Sequence, residues 1–510
     1  MPALLRAAAE RFGDHPAYVD GRRTLSYAEL HAQVRNAAET LVDLGLEPGD
    51  RVVVWGPNGI EWVVAALATT YGGGTLVPVN SRYTATEVAD IVDRTRARVV
   101  FVDDGFLGRT QEDDLVAASD LGSVRAVILF RTHRTKARMT VDSIAQEWHP
   151  DVDRAEARAD AVSPDDVADI LFTSGTTGRS KGAMSAHRQT IGVARAWAEL
   201  GGVRHDDRYL VVNPFFHSFG YKIGIVVGLL TGATLYPVPT FDVAETMRIV
   251  ERERITVFPG APTLFQSLLA APDRAAHDLS SLRLAVTGAA VVPVVLIERM
   301  RAPAPEGLGI DQVVTAFGMT EAVVATMCRP DDSAETVATT CGRAVPGMEA
   351  RIADPRDDGT GELLLRGDWV MLGYLDDPEA TAEAIDAEGW LHTGDVGRLD
   401  EHGNLTVTDR LKDMYISGGF NVYPAEVEQA LARMEGVTDV AVVGVPDERL
   451  GEVGKAYVVG DVDPEAVVAF ARGRLANFKV PRYVESVDVL PRNLSGKVLK
   501  TRLRERGGPG

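Results

Sequence analysis

The sequence predicts an α/β protein built from two unequal parts. Its 510 residues exceed what one hydrophobic core usually holds, so about two to four folding units are expected. Over most of the length, segments with apolar residues at helical spacing alternate with short Val-rich runs, which is typical of parallel sheets covered by helices. After Val345 the pattern changes to short strands separated by Gly and Asp turns. We expect a large N-terminal domain of mixed sheets flanked by helices plus a β subunit, followed by a small α+β C-terminal domain.

The first strong helix signal is a capping box. Ser26 precedes a run of apolar residues at helical spacing, and Glu29 follows it three residues later. A hydroxyl and a carboxylate at this spacing satisfy the free backbone N–H groups of a helix start. The alternation then continues through three segments. RVVVWGP (51–57) is predicted as a buried strand. WVVAALATTYGGGTLVPV (62–79) is predicted as a helix, a turn and a strand, and VADIVDRTRARVVFVDD (88–104) as a helix and a strand.

Five more short apolar runs end in Pro or Gly. They are YLVVNP (209–214), TLYPVP (234–239), ITVFPG (255–260), LRLAVTG (282–288) and VVTAFG (313–318). In α/β sheets, ligands bind at the carboxyl ends of such strands. Several of the candidate residues below follow these runs directly.

A domain boundary is expected near TDRLKDMY (408–415), where the unit of short strands ends. The remaining piece contains a helix-like PAEVEQALARM, a strand-like AVVGVP and the basic tail GKVLKTRLRERG. We predict an N-terminal domain over 1–408 and a C-terminal domain over 413–510, with residues 409–412 between them.

The composition excludes several classes of protein. A formal net charge of −20 repels phosphate backbones and anionic lipids, so we expect no nucleic acid partner. Two cysteines, Cys328 and Cys341, are too few for a disulfide scaffold, and we interpret both as buried or inert. The N-terminal charges come too early for a signal peptide, and the most apolar stretch, which starts at Ile223, is too short to span a bilayer. We therefore expect a cytoplasmic protein without a membrane span.

The stretch FTSGTTGRSKGA (172–183) indicates a loop that binds an anion. Its glycines allow several backbone N–H groups to point at one anion, its hydroxyls add donors, and its lysine adds a mobile charge. The spacing does not fit the GxxxxGK[ST] loop, and a solvated surface turn is the alternative. A nucleoside triphosphate is the better fit, with candidate contacts from Thr173, Ser174, Gly175, Thr176, Thr177, Gly178 and Lys181.

This stretch closely resembles the phosphate loop of the adenylate-forming superfamily, which contains acyl-CoA synthetases, luciferases and peptide-synthetase adenylation domains. Further motifs of the superfamily follow in the expected order along nearly the whole chain, so coincidence is implausible. They are NPFFHSFG (213–220), TGAA (287–290), AFGMTE (316–321), LHTGD (391–395), DRLKDMYISGGFNVYP (409–424) and PRNLSGKV (491–498).

The resemblance implies ATP, Mg²⁺ and coenzyme A as reactants and cofactors, and it implies roles for individual residues. Glu321 matches the Mg²⁺ carboxylate and Thr320 matches the hydroxyl that faces the α-phosphate; a helix N-cap followed by a first-turn acid is the alternative. Phe317 stands where the family usually has a Tyr stacked on adenine, so the aromatic face is kept and a hydroxyl is lost. The other implied residues for binding ATP and AMP are Gly288, Ala289, Ala290 and Gly318.

The resemblance also implies two further residues that bind the nucleotide and one residue that acts in the adenylation step. Asp395 matches the acid that binds the ribose hydroxyls, with a turn-forming Asp after a glycine as its alternative. Arg410 matches a second nucleotide contact. Lys497 matches the small-domain lysine that reaches the carboxylate and the α-phosphate during adenylation; a solvated charged tail is its alternative. Acylation of this lysine would remove its charge.

The resemblance also implies a rotation of the C-terminal domain after adenylation. Lys412 falls at the hinge position of the family, although charged linkers are common for other reasons. Rotation would remove Lys497 and bring Ser417, Gly418 and Gly419 beside the coenzyme A tunnel, where glycines allow close approach of the pantetheine arm. His217 matches a residue near the entrance between this tunnel and the acyl pocket. A core histidine is its alternative.

The acyl pocket is expected between NPFFHSFGYK (213–222), VTGAA (286–290) and VVATMC (323–328), with Phe216, Phe219, Tyr221 and Lys222 as its candidate residues. A long-chain fatty acid needs neither the phenol nor the ammonium, which could meet a keto or hydroxyl group of a compact acid. Alternatively, Lys222 opens a surface helix. SRYTATE, TVATTCGR and the motifs above resemble an actinobacterial branch of the superfamily that activates the methylhydrindane-dione propanoate left after degradation of sterol rings A and B.

We therefore interpret the protein as an AMP-forming acid:CoA ligase of a small-molecule carboxylic acid. The substrate could instead be a medium-chain fatty acid or an aromatic acid. The protein could instead be a luciferase-like monooxygenase, an adenylation enzyme that loads a carrier protein, or a non-catalytic sensor of acyl nucleotides. Glu321, Asp395, Arg410 and Lys497 together argue against the sensor, because a sensor need not keep the charges of the chemical step. The sequence leaves homodimer formation open.

Overall fold

The computed structural model describes residues 1–130, 139–147, 153–173, 180–288, 292, 294–410, 413–417, 420–422, 424–447, 449–475, 477–493 and 497–506, without the side chains of residues 409, 410, 420 and 421. Within these ranges, no helix has the length and apolar character needed to cross a lipid bilayer.

The first half of the chain alternates helices and strands. Its elements are α1 (Pro2–Phe12), β1 (Pro16–Asp20), β2 (Arg23–Ser26), α2 (Tyr27–Asp43), β3 (Arg51–Trp55), α3 (Ile60–Tyr71), β4 (Thr75–Val79), α4 (Ala85–Thr95), β5 (Val99–Val102), α5 (Gln111–Ala118), β6 (Ala126–Leu129), α6 (Val141–Gln146), α7 (Asp153–Ala161), β7 (Val167–Phe172), β8 (Gly182–Ala186), α8 (His187–Gly201), β9 (Arg208–Val211), α9 (Ser218–Gly220), a π-helical turn (Tyr221–Val226), α10 (Val227–Thr231) and β10 (Thr234–Pro237).

The second half is richer in strands. Its elements are α11 (Val243–Glu253), α12 (Pro262–Ala270), β11 (Leu284–Gly288), α13 (Val294–Arg301), β12 (Gln312–Met319), β13 (Ala322–Met327), α14 (Ala334–Thr339), β14 (Arg343–Ala344), β15 (Met348–Ala353), β16 (Gly361–Gly367), β17 (Gly373–Tyr374), α15 (Pro378–Ala384), β18 (Leu391–Leu399), β19 (Leu405–Arg410), β20 (Tyr415–Ser417), β21 (Phe420–Val422), α16 (Pro424–Leu431), β22 (Val437–Asp447), β23 (Gly451–Gly460), α17 (Pro464–Arg472), β24 (Tyr483–Ser486) and α18 (Lys500–Arg506).

The predicted parallel sheet is present. Seven strands lie in the order β17-β8-β7-β4-β3-β5-β6, and all neighbours from β7 to β6 are parallel. β8 runs antiparallel to both of its neighbours, β7 and β17. Every residue of β4 and β5 is buried, as expected for strands covered by helices on both faces. The capping box predicted at the start of α2 is confirmed, because Ser26 and Glu29 exchange hydrogen bonds.

A second sheet carries the strands that end near the candidate site. Its two halves have the orders β2-β1-β10-β9 and β11-β12-β13-β14, and Val257 joins them through parallel bridges to Tyr209 and Leu284. The predicted strand ITVFPG is therefore reduced to single bridges at Val257. Pro259 has no N–H to continue the ladder, which accounts for the short pairing.

One antiparallel sheet and one mainly antiparallel sheet complete the fold. The first has the order β15-β16-β18-β19 and corresponds to the predicted β subunit. The second contains β21-β20-β23-β22, with β24 parallel to β23, and α16, α17 and α18 accompany it. Its two apolar clusters draw only on residues from Tyr415 onward. The exact domain limits, 1–408 and 413–510, stay a prediction.

Both cysteines are held as thiols inside the protein. Cys328 is buried and burial raises its pKa, and burial raises the pKa of Cys341 to about 12. Neither thiol ionises appreciably near neutral pH, in agreement with the expectation that both are inert.

A buried histidine begins α8, the helix that lies between the two larger sheets. His187 is 3% exposed, and its Nδ1 lies 3.3 Å from the α-amino nitrogen of Met1. Burial lowers the pKa of His187 to about 3, and the α-amino group adds to this effect. As pH falls below about 6.5, the unfolded chain therefore takes up this proton before the folded protein does.

We predict that His187 makes the protein acid-sensitive. This one group should remove about 1.4 kcal/mol of stability for each pH unit below 6.5. His187→Gln should lose less of its free energy of unfolding between pH 7 and pH 5 than the wild type, as measured by urea unfolding at both values. The exposed His402→Gln serves as the control. An equal loss in the wild type and in His187→Gln would contradict the assignment.

Candidate active site

The phosphate-loop stretch connects two antiparallel strands. β7 ends at Phe172 and β8 begins at Gly182, which is its partner across the ladder. The base of the loop is closed by Thr173, whose N–H donates to the carbonyl of Lys181 at 2.9 Å. Ser174, Gly175, Thr176, Thr177 and Gly178 lie outside the described residues, so their predicted contacts with phosphate stay predictions.

Two cations brace the base of this loop. Arg94 donates to the carbonyl of Ser180 at 2.7 Å, and its guanidinium lies 4.9 Å from the ring centre of Phe172. The ammonium of Lys181 lies 5.0 Å from the ring centre of Tyr374. Cation–π contacts of this kind leave the charge able to attract an anion. Lys181 and Arg94, which also pairs with Asp90 at 3.4 Å, therefore place positive groups at the loop base of a protein whose net charge is negative.

Thr320 and Glu321 form a two-residue hairpin turn between β12 and β13, with Met319 and Ala322 as the closing pair. The alternative of a helix N-cap is therefore wrong. A helix cannot start here because β13 returns immediately alongside β12. Glu321 is 8% exposed, so its carboxylate is largely shielded from solvent.

Tyr374 links this turn to the phosphate loop. Its hydroxyl donates to Oε1 of Glu321 at 2.8 Å, and the N–H of Met371 donates to the carbonyl of Glu321 at 2.8 Å. Burial, followed by the charge of Glu321, raises the pKa of Tyr374, so the hydroxyl remains a donor. None of the sequence motifs indicates Tyr374; its one sequence signal is its position after the short apolar run WVMLG (369–373).

The candidate adenine residues lie on neighbouring strands. Gly288 at the end of β11 pairs with Ala316 on β12, next to the partly buried Phe317. A Cβ at Gly288 would come within 2.6 Å of the carbonyl oxygen of Ala316. A Cβ at Gly318 would come within 1.9 Å of the carbonyl oxygen of Val323. Ala289 and Ala290 lie outside the described residues.

Asp395 and Arg410 are directly opposite each other on β18 and β19. Asp395 is 4% exposed and lies inside a nine-residue strand, which excludes the alternative of a turn-forming Asp. Its N–H donates to Oγ1 of Thr393 at 3.0 Å. The pairing brings the two predicted nucleotide contacts together, although the side chain of Arg410 is outside the described part of the chain.

His217 begins the short helix α9. Its Nδ1 accepts a hydrogen bond from the N–H of Phe219 at 3.1 Å, so the neutral ring carries its proton on Nε2. Although solvent reaches the ring, the surrounding protein desolvates it and lowers the pKa of His217 below its usual 6.5. The imidazole is therefore neutral at physiological pH.

The four acyl-pocket candidates differ in their surroundings. Phe216 is partly buried, and Phe219 packs edge-on against Trp197 with ring centres 6.3 Å apart. Tyr221 is fully buried beside Trp62 at 6.2 Å. Lys222 is buried at 1% exposure, which excludes the alternative of a surface helix.

The ammonium of Lys222 has protein partners. It lies 3.0 Å from Oδ1 of Asp169 and donates to Oγ of Ser185 at 2.8 Å. A contact between Lys222 and an acyl group therefore stays a prediction. Nothing in the local sequence pairs Lys222 with Asp169, which lies on β7.

The C-terminal candidates lie on turns of the last sheet and beside it. Lys497 exchanges two hydrogen bonds with Asn493: its N–H donates to Oδ1 at 2.9 Å, and its carbonyl accepts from the Asn493 N–H at 2.8 Å. Ser417 is 3% exposed and pairs with Phe420. Lys412, Gly418 and Gly419 lie outside the described residues. Asp413, next to the predicted hinge, accepts a hydrogen bond from Arg504 at 2.8 Å.

The residues around Glu321 fit a cation that is bound mainly by substrate phosphates. Among the described residues, no group of three or more His, Cys, Asp or Glu side chains could hold a metal ion. Mg²⁺ commonly uses one or two carboxylates together with phosphate oxygens. Tyr374 engages one oxygen of Glu321, and a carboxylate has a second oxygen available for such an ion.

Comparisons with known proteins identify the family of this chain. The family model for AMP-binding enzymes matches residues 5–375, and the model for the C-terminal domain of these enzymes matches residues 426–497. The chain belongs to the family of AMP-binding enzymes.

Two curated relatives are similar over their whole length. The 3-[(3aS,4S,7aS)-7a-methyl-1,5-dioxo-octahydro-1H-inden-4-yl]propanoyl:CoA ligase of Rhodococcus jostii is 56% identical over 99% of this chain and 98% of its own. The ligase of the same name from Mycobacterium tuberculosis is 55% identical over 99% of both chains. The resemblance to the adenylate-forming superfamily and to its actinobacterial branch is thereby confirmed.

A solved structure confirms the predicted fold. ATP-bound MatB from Rhodopseudomonas palustris matches with a TM-score of 0.87 at 31% identity, covering 99% of this chain and 98% of that one. The α/β architecture with a large N-terminal part and a smaller C-terminal part is therefore correct.

We predict that Gly318→Ala disrupts the Thr320–Glu321 turn. Its Cβ cannot fit 1.9 Å from a backbone carbonyl, so β12 and β13 must separate and move both side chains. AMP binding should weaken at least about tenfold in isothermal titration calorimetry. Gly473→Ala is the control, because its nearest neighbour would be 3.6 Å away. Unchanged AMP affinity in Gly318→Ala would show that the turn does not contribute to the site.

Proposed function

We propose that this protein is an AMP-forming acid:CoA ligase whose acid is 3-(7a-methyl-1,5-dioxo-octahydroinden-4-yl)propanoate, an intermediate of steroid breakdown. The proposal rests chiefly on 56% identity over 99% of the chain to a ligase named for that acyl group. The enzyme first joins the carboxylate to AMP, releasing pyrophosphate, and then transfers the acyl group to the thiol of coenzyme A, releasing AMP. ATP and coenzyme A are its co-substrates.

Adenylation brings two anions together, so its chief requirement is positive charge and fixed geometry. In our proposal, Lys181, Thr173 and the loop residues 174–178 hold the β- and γ-phosphates. Thr320 contacts the α-phosphate, and Glu321 is held in position by Tyr374. Lys497 supplies the last positive charge, between the acid carboxylate and the α-phosphate.

The adenosine would lie across the carboxyl ends of β11 and β12 and the middle of β18. Phe317 provides a face for adenine beside Gly288, and Asp395 accepts from both ribose hydroxyls, with Arg410 opposite it. Glu321 would hold Mg²⁺ together with the phosphate oxygens. The ion would neutralise phosphate charge and orient the triphosphate.

The acyl group would lie against the partly buried Phe216 and Phe219, whose rings suit a compact bicyclic skeleton, while the fully buried Tyr221 would contribute through packing alone. We propose that the C-terminal domain turns at Lys412 after adenylation, which withdraws Lys497 and brings Ser417 and its two glycines towards the thiol path. His217, neutral near pH 7, then lies between this path and the acyl group. Because ATP and coenzyme A are cytoplasmic metabolites, we assign the reaction to the cytoplasm.

We predict strong discrimination among acids. With ATP, Mg²⁺ and coenzyme A, the bicyclic propanoate should give acyl-CoA and AMP with a kcat/KM at least about 100-fold above that for benzoate or octanoate, because pocket contacts of a few groups each contribute tenfold or more. Products are measured by mass spectrometry. AMP formation with fatty or aromatic acids instead would retain the ligase chemistry and reject the substrate. ADP as the product would reject the proposed chemistry.

We predict that Lys497→Ala separates the two half-reactions. The rate of acyl-adenylate formation, measured by pyrophosphate exchange, should fall at least about 100-fold because a transition-state charge contact is lost. Thioester formation from a preformed acyl-adenylate should be unchanged. Arg502→Ala, on the exposed face of α18, removes a charge from the same tail and should leave both rates intact. Equal losses in both half-reactions would contradict the role of Lys497.

A further inference from the structure

Lys222 is held in the core by side chains from three elements. Its ammonium lies 3.0 Å from Oδ1 of Asp169 on β7 and donates to Oγ of Ser185 on β8 at 2.8 Å. Thr190 on α8 donates to Oδ2 of Asp169 at 2.6 Å. The exposure of Lys222 is 1% and that of Asp169 is 0%. We name the group of Lys222, Asp169, Ser185 and Thr190 the Lys222 clamp.

The clamp connects the two halves of the candidate site. Asp169 and Ser185 face each other across β7 and β8, the strands whose ends carry the phosphate loop. Lys222 follows directly after the segment 216–221, which we assign to the acyl pocket. A short rigid connection therefore runs from the acid-binding segment to the base of the phosphate-binding loop.

Stability alone does not account for this charge pair. Removing two ions from water is costly, and well-packed apolar side chains of similar size often stabilise a core at least as well. Buried ions are better suited to specifying one arrangement, because their partners lie at fixed distances and directions. Lys222 also belongs to a π-helical turn, a rare backbone form that occurs frequently at functional sites.

We propose that the Lys222 clamp positions the acid relative to the α-phosphate of ATP, so that Lys222 and Asp169 are positioning residues for acyl-adenylate formation. In that step a carboxylate oxygen bonds to the α-phosphorus and pyrophosphate leaves. Such a step requires reacting atoms about 3–3.5 Å apart and aligned. The proposal rests on the proposed ligase function. Attack by the thiol of coenzyme A does not use the phosphate loop, so the clamp acts on the first half-reaction alone.

The test is the double variant Asp169→Asn/Lys222→Met, which removes both charges with little change in side-chain volume. Each single variant leaves one buried charge uncompensated and should lower the midpoint of thermal unfolding by about 5 °C or more, whereas the double variant should recover most of that loss. Despite this recovery, its kcat for adenylation should stay about 10- to 100-fold below wild type, with the KM values for acid and ATP within about threefold.

Two measurements separate positioning from a general structural effect. Thioester formation from a preformed acyl-adenylate should remain within about twofold of wild type in the double variant. The matched control is Asp207→Asn/Arg283→Met, which removes the pair formed at 2.8 Å at the amino ends of β9 and β11, away from the site. This control should leave both half-reactions within about twofold of wild type.

A wild-type adenylation rate in the double variant would overturn the clamp, as would equal losses in both half-reactions. Ser185→Ala tests the same idea without removing a charge and should slow adenylation by about three- to tenfold; no change there would also count against the proposal. A wild-type enzyme that forms no acyl-adenylate from any acid would refute the ligase function instead.

Discussion

The hydrogen bond between Tyr374 and Glu321 joins parts of the chain on which the rest of the site depends. Glu321 lies in the turn of β12 and β13, in one sheet, whereas Tyr374 lies on β17, at the edge of the other. The segment that contains Tyr374 also bonds to β8 through the N–H groups of Leu372 and Leu375. The Glu321 carboxylate, which we propose to face the triphosphate, is thus tied to the strand that follows the phosphate loop.

Positive groups at the base of the loop explain how an acidic protein can bind an anionic nucleotide. The net charge of −20 opposes binding at long range, but screening limits that effect to about 10 Å at ordinary salt. Near the loop, Arg94 and Lys181 are held against aromatic rings, which fixes their positions and keeps their charges. Local geometry therefore outweighs the overall charge.

Local sequence patterns predicted the helices and strands well because short-range interactions determine where these elements begin and end. The capping box at Ser26, the buried strands and the strand ends at the site all follow from short-range chemistry. Residues that act through distant partners were missed or misjudged. Neither the bond of Tyr374 to Glu321 nor the pairing of Lys222 with Asp169 leaves a local trace, because each partner comes from another strand. The strand at Val257 was overestimated because a proline two residues later stops its ladder.

The placement of Lys222 changes how substrate selectivity should be understood. A free ammonium in the pocket would select a keto or hydroxyl group by direct contact. In our proposal, an ammonium paired with Asp169 acts instead by holding the segment around Phe216 and Phe219 in place. Asp169 already neutralises the charge of Lys222, so the ammonium does not need a polar group on the rings of the acid as a partner. Discrimination would then come from the shape of the pocket beside Phe216 and Phe219, which would accept a bulky apolar bicycle. A flexible chain would not hold its carboxylate in line there. Rigid walls favour rigid substrates, because a rigid acid loses less conformational entropy when it is aligned.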